Sequence, residues 1–135
     1  VEICNGDITK IYRLCGFTDK LISHKIKLFG RKNKHQRQRV QAKIDSLLIR
    51  IRNLIDECHR KVAKWLTTEY RIIFLPTFET SQMVAKTGTK KRKINSKTVR
   101  QMLRWSHYRF KQTLKFQAFK CVKCLIEEIN TKLKF

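Results

Sequence analysis

Between Val40 and Leu66 the apolar residues Val40, Ile44, Leu47, Leu48, Ile51, Leu54, Ile55, Cys58, Val62, Trp65 and Leu66 recur at three- and four-residue steps, uninterrupted by Gly or Pro. That period places them along one stripe of an α-helix. Extended from about Lys32 to Glu69, such a helix measures roughly 57 Å at 1.5 Å per residue. A shorter helical pattern precedes it over residues 7–28, carried by Ile8, Ile11, Leu14, Cys15, Leu21, Ile22 and Ile26, with Asp7 placed as its N-cap. Gly16 is expected to weaken or kink this first helix. The run Arg71-Ile72-Ile73-Phe74-Leu75, closed by Pro76, reads as a buried strand that ends where the ladder can no longer be served. Further on, Ser96 is placed to cap a helix running to about Lys120, with Val99, Met102, Leu103, Phe110, Leu114 and Ala118 on its inner face. In the tail, residues 121–135, Leu125, Ile126 and Ile129 suit a second strand or a short helix, and so short a run does not decide between them.

Two stretches lack this apolar punctuation. From Gly30 to Arg39 the chain carries Arg31, Lys32, Lys34, Arg37 and Arg39 among Asn33, His35, Gln36 and Gln38, which makes it a loop or the solvated first turns of the long helix. From Lys86 to Lys93 it reads Lys-Thr-Gly-Thr-Lys90-Lys91-Arg92-Lys93, a basic loop that also has the pattern of a nuclear import signal. The elements together describe one partial domain over residues 1–135: N-terminal helices over 5–70, the strand with a candidate acid after it over 71–84, the basic loop over 85–95, a helix over 96–120 and the tail.

Charge sharpens the picture. Against 10 Asp and Glu stand 32 Lys and Arg, a formal +22, with a sequence pI near 10.4. Self-repulsion of that size opposes compaction, and a polyanionic partner is the reason to carry it. The hydrophobic content of 41% in 135 residues is enough for one modest core and too high for a disordered chain. Nucleic acid is favoured over an anionic membrane, because the cations are spread along the whole chain and no apolar run approaches a membrane span. Arg37, Lys43, Arg50, Arg52, Arg60, Lys61 and Lys64 surround the apolar stripe of the long helix, a surface for tracking phosphates or simply a solvated face. Trp105, His107 and Tyr108, interleaved with Arg104, Arg109 and Lys111, suit stacking on bases or, more commonly for helix aromatics, core packing.

The five cysteines, Cys4, Cys15, Cys58, Cys121 and Cys124, are odd in number and unevenly spaced, which fits a reducing, intracellular compartment, nuclear if the host is eukaryotic. Cys121 and Cys124 have the gap of half a zinc site, but no second pair follows, so zinc binding within this chain is not expected from spacing. The first Met is Met83, and the chain is expected to be a piece of a longer protein. No Gly-rich phosphate loop and no Ser-His-Asp or Cys-His arrangement stands out. What does stand out is Glu79, the sole acid between Glu69 and Glu127, just past the end of the first strand. A carboxylate there is either a solvated loop residue or a ligand for metal-dependent phosphodiester chemistry.

The order of pieces resembles a known family. A basic segment, a long helix ending Ala63-Lys64-Trp65-Leu66, an apolar strand, Pro76-Thr77-Phe78-Glu79-Thr80-Ser81-Gln82-Met83, a basic gap and Trp105-Ser106-His107-Tyr108-Arg109-Phe110-Lys111-Gln112 together resemble TnpB, the transposon-encoded RNA-guided nuclease, and most closely its eukaryotic and giant-virus relatives called Fanzor. Gly6-Asp7-Ile8, Ile11-Tyr12-Arg13-Leu14-Cys15 and Asp19-Lys20-Leu21 fit the same family, so the resemblance spans about residues 5 to 120. It implies an α/β fold, part of an RNase H-like (RuvC-type) domain, mostly helical with a long amphipathic helix and one or two short strands. It also implies DNA cleavage by Mg²⁺ held on three carboxylates, with guide RNA and target DNA as partners. Such a site needs converging acids, because its two metals lie about 3.5–4 Å apart. Only the middle acid falls within this chain. Its catalytic and metal-binding role passes to Glu79, which matches the displaced position of the Fanzor-like pattern. The common bacterial pattern has its acid where Pro76 stands. The other two acids are expected before Val1 and beyond Phe135, and the tail after Phe119 departs from the family. The chain is therefore expected to bind nucleic acid through Arg31, Lys32, Lys34, Arg37, Arg39, Lys90, Lys91, Arg92, Lys93 and Arg109 without cleaving it alone. The alternatives are a non-enzymatic basic helical module that binds RNA or DNA by charge, and a scaffold whose long helix pairs with another through its apolar seam.

Overall fold

Helix α1 spans Asn5–Lys27 and buries Ile11, Cys15 and Thr18, three positions one helical turn or two apart. A computed structural model describes residues 3–77, 80, 94–121 and 124–129 of the chain. Within it, α1 begins earlier than the position of Asp7 suggests. Cys4 takes the N-cap position, Ile8 N donates to Cys4 O at 2.9 Å, and Asp7 falls in the first turn, where its charge favours the positive end of the helix dipole. Gly16 does not interrupt the helix. A single glycine costs about 1 kcal/mol against alanine, which burial of the adjacent Cys15 and of Ile11 outweighs. Thr18 is fully buried and satisfies its hydroxyl by donating to Leu14 O at 2.8 Å.

The chain then reverses. Gly30 has φ 89°, in the left-handed region that glycine enters without steric cost. A 3-10 turn over Arg31–Asn33 leads into helix α2, Lys34–Glu69, 36 residues without a break. The basic segment is thus divided between this turn and the start of α2. Two side chains hold the reversal: Arg37 Nη1 donates to Leu28 O at 3.0 Å and Gly30 O at 2.7 Å, and Asn33 Nδ2 to Phe29 O at 2.9 Å. Lys25 Nζ on α1 donates to Gln41 Oε1 on α2. Cys4 and Asp7 approach Cys58 at the other end, so α1 and this part of α2 run antiparallel. Val40, Ile44, Ile51, Ile55 and Cys58 are buried along the stripe that the sequence period marks out.

By its contacts the chain forms two units, Val1–Cys58 and His59–Phe135. In the second, α2 ends at Glu69 and strand β1, Ile72–Pro76, pairs in parallel with β2, Leu125–Ile129, in the register Ile72↔Leu125 to Pro76↔Ile129. The tail is therefore a strand, and the fold mixes α and β while remaining mostly helical. Parallel strands need a crossover, which among the described residues includes two helices, α3, Ser96–Trp105, and α4, His107–Lys120. One helix was expected here. Ser106 breaks it at φ 47°, ψ 76°, a left-handed conformation at a non-glycine residue. The break sets Trp105 and Phe110 on either side of it against buried His59, with ring centroids 6.4 and 5.3 Å from the imidazole. Ala63, Thr67, Val99, Leu114, Ala118 and Cys124 are also buried among the described residues of this unit.

β1 was expected to be buried, and it is not. Its residues alternate between exposed and half-buried, and Ile72 and Phe74 are more than half exposed. The apolar run reflects β-propensity in a two-stranded sheet with one face open, not enclosure on both faces. Pro76 sits inside the strand as its last residue, where a missing N–H costs least.

The cap of α3 is Asn95 instead of Ser96: its side chain accepts from Thr98 N at 2.8 Å. Asn95→Ala should destabilise the second unit by about 0.5–2 kcal/mol, read as a fall in the urea midpoint.

Candidate nucleic-acid interface

At the start of α2 the helix dipole puts its positive end, and the sequence adds more cations there. Arg31 and Lys32 project from the 3-10 turn and Lys34 from the first helical residue, all exposed, with no acid in the first turn. Each cation so placed is disfavoured by roughly 0.3–1 kcal/mol. An anion docked against them would reverse the sign of that interaction.

Farther along, the helical period sorts the cations by side. With the buried stripe as reference, Arg39, Lys43 and Arg50 fall within a sector of roughly 40°, about a quarter turn round the helix, and all three are exposed. Ser46 lies between them on the same flank, and no acid joins it before Glu57. Arg52 lies on the other flank, with Asp45 and Asp56 near it in the helical net. Asp45 also accepts from Gln41 Nε2 at 2.6 Å. One flank of α2 is therefore basic and the other mixed.

The residues expected to contact nucleic acid do not form one set. Arg31, Lys32, Lys34 and Arg39 belong to the exposed run just described. Arg37 is half-buried and spends its guanidinium on the carbonyls of the α1–α2 reversal, so its structural role is fixed whatever else it touches. Arg109 is half-buried on α4 and is engaged in an interaction of its own. Glu79, Lys90, Lys91, Arg92 and Lys93 lie outside the described residues.

On α4 the geometry separates aromatic roles that sequence left open. Trp105 and Phe110 are committed to His59. Tyr108, Phe116 and Phe119 are 71%, 61% and 84% exposed and share one face with Gln112 and Lys115 at helical spacing. Lys120 Nζ lies 4.6 Å over the Phe116 ring, a cation–π contact. Sequence reading noticed Tyr108 but not Phe116 and Phe119. Their spacing of eight and eleven residues from Tyr108 was the available signal. Aromatics among cations on a solvent face suit base stacking.

Not every cation on α4 is available. Glu128 on β2 accepts from Lys111 Nζ at 2.8 Å and from Lys115 Nζ, tying the helix to the sheet. Hydrogen bonds from these two lysines lower the Glu128 carboxyl from 4.5 to about 2. Because the folded value lies below the ordinary one, the tether is intact above about pH 4.5 and is lost as pH falls from there through 2. A carboxyl titration by NMR should place Glu128 near 2, with β2 amides exchanging faster below that pH. A midpoint near 4.5 would show the tether absent in solution.

No protein-family model matches this chain, and no curated protein or solved structure is significantly similar to it.

Among the described residues, which do not include Glu79, the donor sets do not provide an Mg²⁺ centre. Among the described residues the group with metal-ligand spacing is Cys4, Asp7 and Cys58, which mixes sulfur and oxygen, and no trio of carboxylates converges. Among the described residues no helix is long and apolar enough to cross a membrane.

Proposed function

We propose that this chain binds nucleic acid along the basic flank of α2, and that it is a piece of an RNA-guided, RNase H-like DNA endonuclease of the TnpB/Fanzor type. The observation that carries the binding half is the placement of Arg31, Lys32 and Lys34 at the positive pole of α2, continued by Arg39, Lys43 and Arg50 down one side. A protein gains nothing internally from cations gathered at that pole. A phosphate backbone relieves both the dipole and the mutual repulsion. The exposed rings of α4 add a surface on which unpaired bases stack.

The endonuclease half rests on the sequence resemblance, and one feature of the fold supports it. Parallel pairing of β1 with β2 brings the carboxyl ends of both strands to one edge, where Thr77 N donates to Ile129 O at 2.9 Å. In α/β sheets that edge is where ligand-bearing loops gather. Glu79 follows Thr77 by two residues in sequence. In the parent protein Glu79 would join two acids from elsewhere to hold Mg²⁺. Guide RNA would supply sequence recognition, and this chain would supply backbone contacts.

Fluorescence anisotropy with single-stranded and duplex oligonucleotides, DNA and RNA, tests the reading. Binding is expected at about 10⁻⁴–10⁻⁶ M or tighter near physiological salt, weakening linearly in log–log form as salt rises. No strand cleavage is expected with Mg²⁺ present. Salt-independent affinity would remove the phosphate-tracking role, and Mg²⁺-dependent cleavage by the chain alone would overturn the incomplete acid set.

A further inference from the structure

We propose that Cys4, Asp7 and Cys58 form a binding site for one divalent cation of zinc's borderline-soft character. The two Sγ atoms and a carboxylate oxygen all lie within 4.8 Å of one another. They come from three places that the fold alone brings together: the N-cap of α1, its first turn, and the buried stripe of α2. Cys4 and Asp7 are three residues apart on one helical turn, so both reach the same side, and Cys58 meets them from the antiparallel helix. Tetrahedral ligation at 2.0–2.3 Å bond lengths sets ligand atoms roughly 3.3–3.8 Å apart, so a small inward adjustment would close the set.

The donor chemistry selects among ions. Two thiolates exclude Mg²⁺ and Ca²⁺ in favour of Zn²⁺ and its spectroscopic substitute Co²⁺. Three protein ligands leave the fourth position to water, and Asp7, half-buried, is the side open to solvent. On binding, each Cys gives its thiol proton to solvent as a sulfur–metal bond forms. The complex of two thiolates, one carboxylate and a divalent cation then carries a net −1. That charge sits at the N-terminus of α1, which favours an anion, in a chain of +22 that has few acids to offset it.

The cation would act as a clasp. Cys4 and Cys58 are far apart in the chain, so a metal bond between them removes much loop freedom from the unfolded ensemble and fastens the start of α1 to α2. This site is independent of the nucleic-acid reading and of the pair Cys121 and Cys124, whose spacing first suggests zinc.

Titration of the reduced full chain with Co²⁺ tests it. One equivalent should produce a thiolate-to-cobalt charge-transfer band and the visible bands of tetrahedral cobalt, both bleached by Zn²⁺, and Zn²⁺ should raise the thermal midpoint. Cys4→Ser and Asp7→Asn should each weaken binding beyond the roughly 10–100-fold that an outer-shell partner commands. Cys58→Ser should do the same, and because Cys58 is buried, the other two variants decide if that one fails to fold. The double variant Cys121→Ser, Cys124→Ser should keep the spectrum. Absence of tetrahedral bands, their survival in Cys4→Ser, their loss in the double variant, or a Cys4–Cys58 disulfide recovered from reduced preparations would overturn the proposal.

Discussion

Replacing Arg39, Lys43 and Arg50 together by glutamine should lower the salt slope of nucleic-acid binding by about two to three, since each neutralised phosphate contact contributes about 0.9 to the slope on duplex DNA and 0.7 on a single strand. The three side chains are exposed on one flank of α2 and do not contribute to the buried stripe, so the change should reach binding without reaching the fold. Two comparisons make the result specific. Lys111→Gln with Lys115→Gln removes two charges already facing Glu128, and should change the slope by less than the flank triple. Arg37→Gln removes a charge from the basic segment too, but its guanidinium holds the carbonyls of Leu28 and Gly30. That variant should register chiefly as lost stability, measured by urea denaturation. An unchanged slope in the triple variant would move the interface off α2.

How much of this was written in the sequence depends on how far apart the interacting residues are. The buried stripe of α2 follows from its period because i, i+3 and i+4 neighbours share a face whatever surrounds them. Arg39, Lys43 and Arg50 follow from the same arithmetic. The break at Ser106 has no Gly or Pro to announce it. It is set by where Trp105 and Phe110 must go to reach His59, a residue from another helix. Asn95 and Ser96 are both good caps, and only the backbone geometry separates them. The burial of β1 was overestimated because an apolar run states propensity, and exposure depends on what covers the strand. Arg37 looked like its neighbours, since nothing local says that one long cation turns back onto the reversal. The approach of Cys4 and Asp7 to Cys58 is a property of the antiparallel helices and leaves no spacing motif. The exposure of Tyr108, Phe116 and Phe119 likewise depends on which side of α4 the core claims.

Ile55→Ala should cost about 2–5 kcal/mol of stability, the lost transfer energy together with the cavity that remains. Ile55 is 1% exposed, on the stripe of α2 that the first unit buries. Ile49, on the same helix and 62% exposed, should change stability by no more than about 0.5 kcal/mol when replaced by alanine. The contrast tests the orientation of α2 directly, because a rotation of the helix by about a third of a turn would bring Ile49 into the buried stripe and carry Ile55 out of it. The loss is large for a chain of this size: small domains have roughly 5–15 kcal/mol in all, and +22 of net charge works against compaction. A polyanion that binds the folded form should restore part of what Ile55→Ala removes, about 2.7 kcal/mol at a hundred times its dissociation constant. Thermal melts of the variant with and without a single-stranded oligonucleotide, at low and high salt, therefore join the two halves of the reading. Rescue that fades as salt rises ties the stability of this fold to the phosphates it neutralises, and equal melts in all four conditions would separate them.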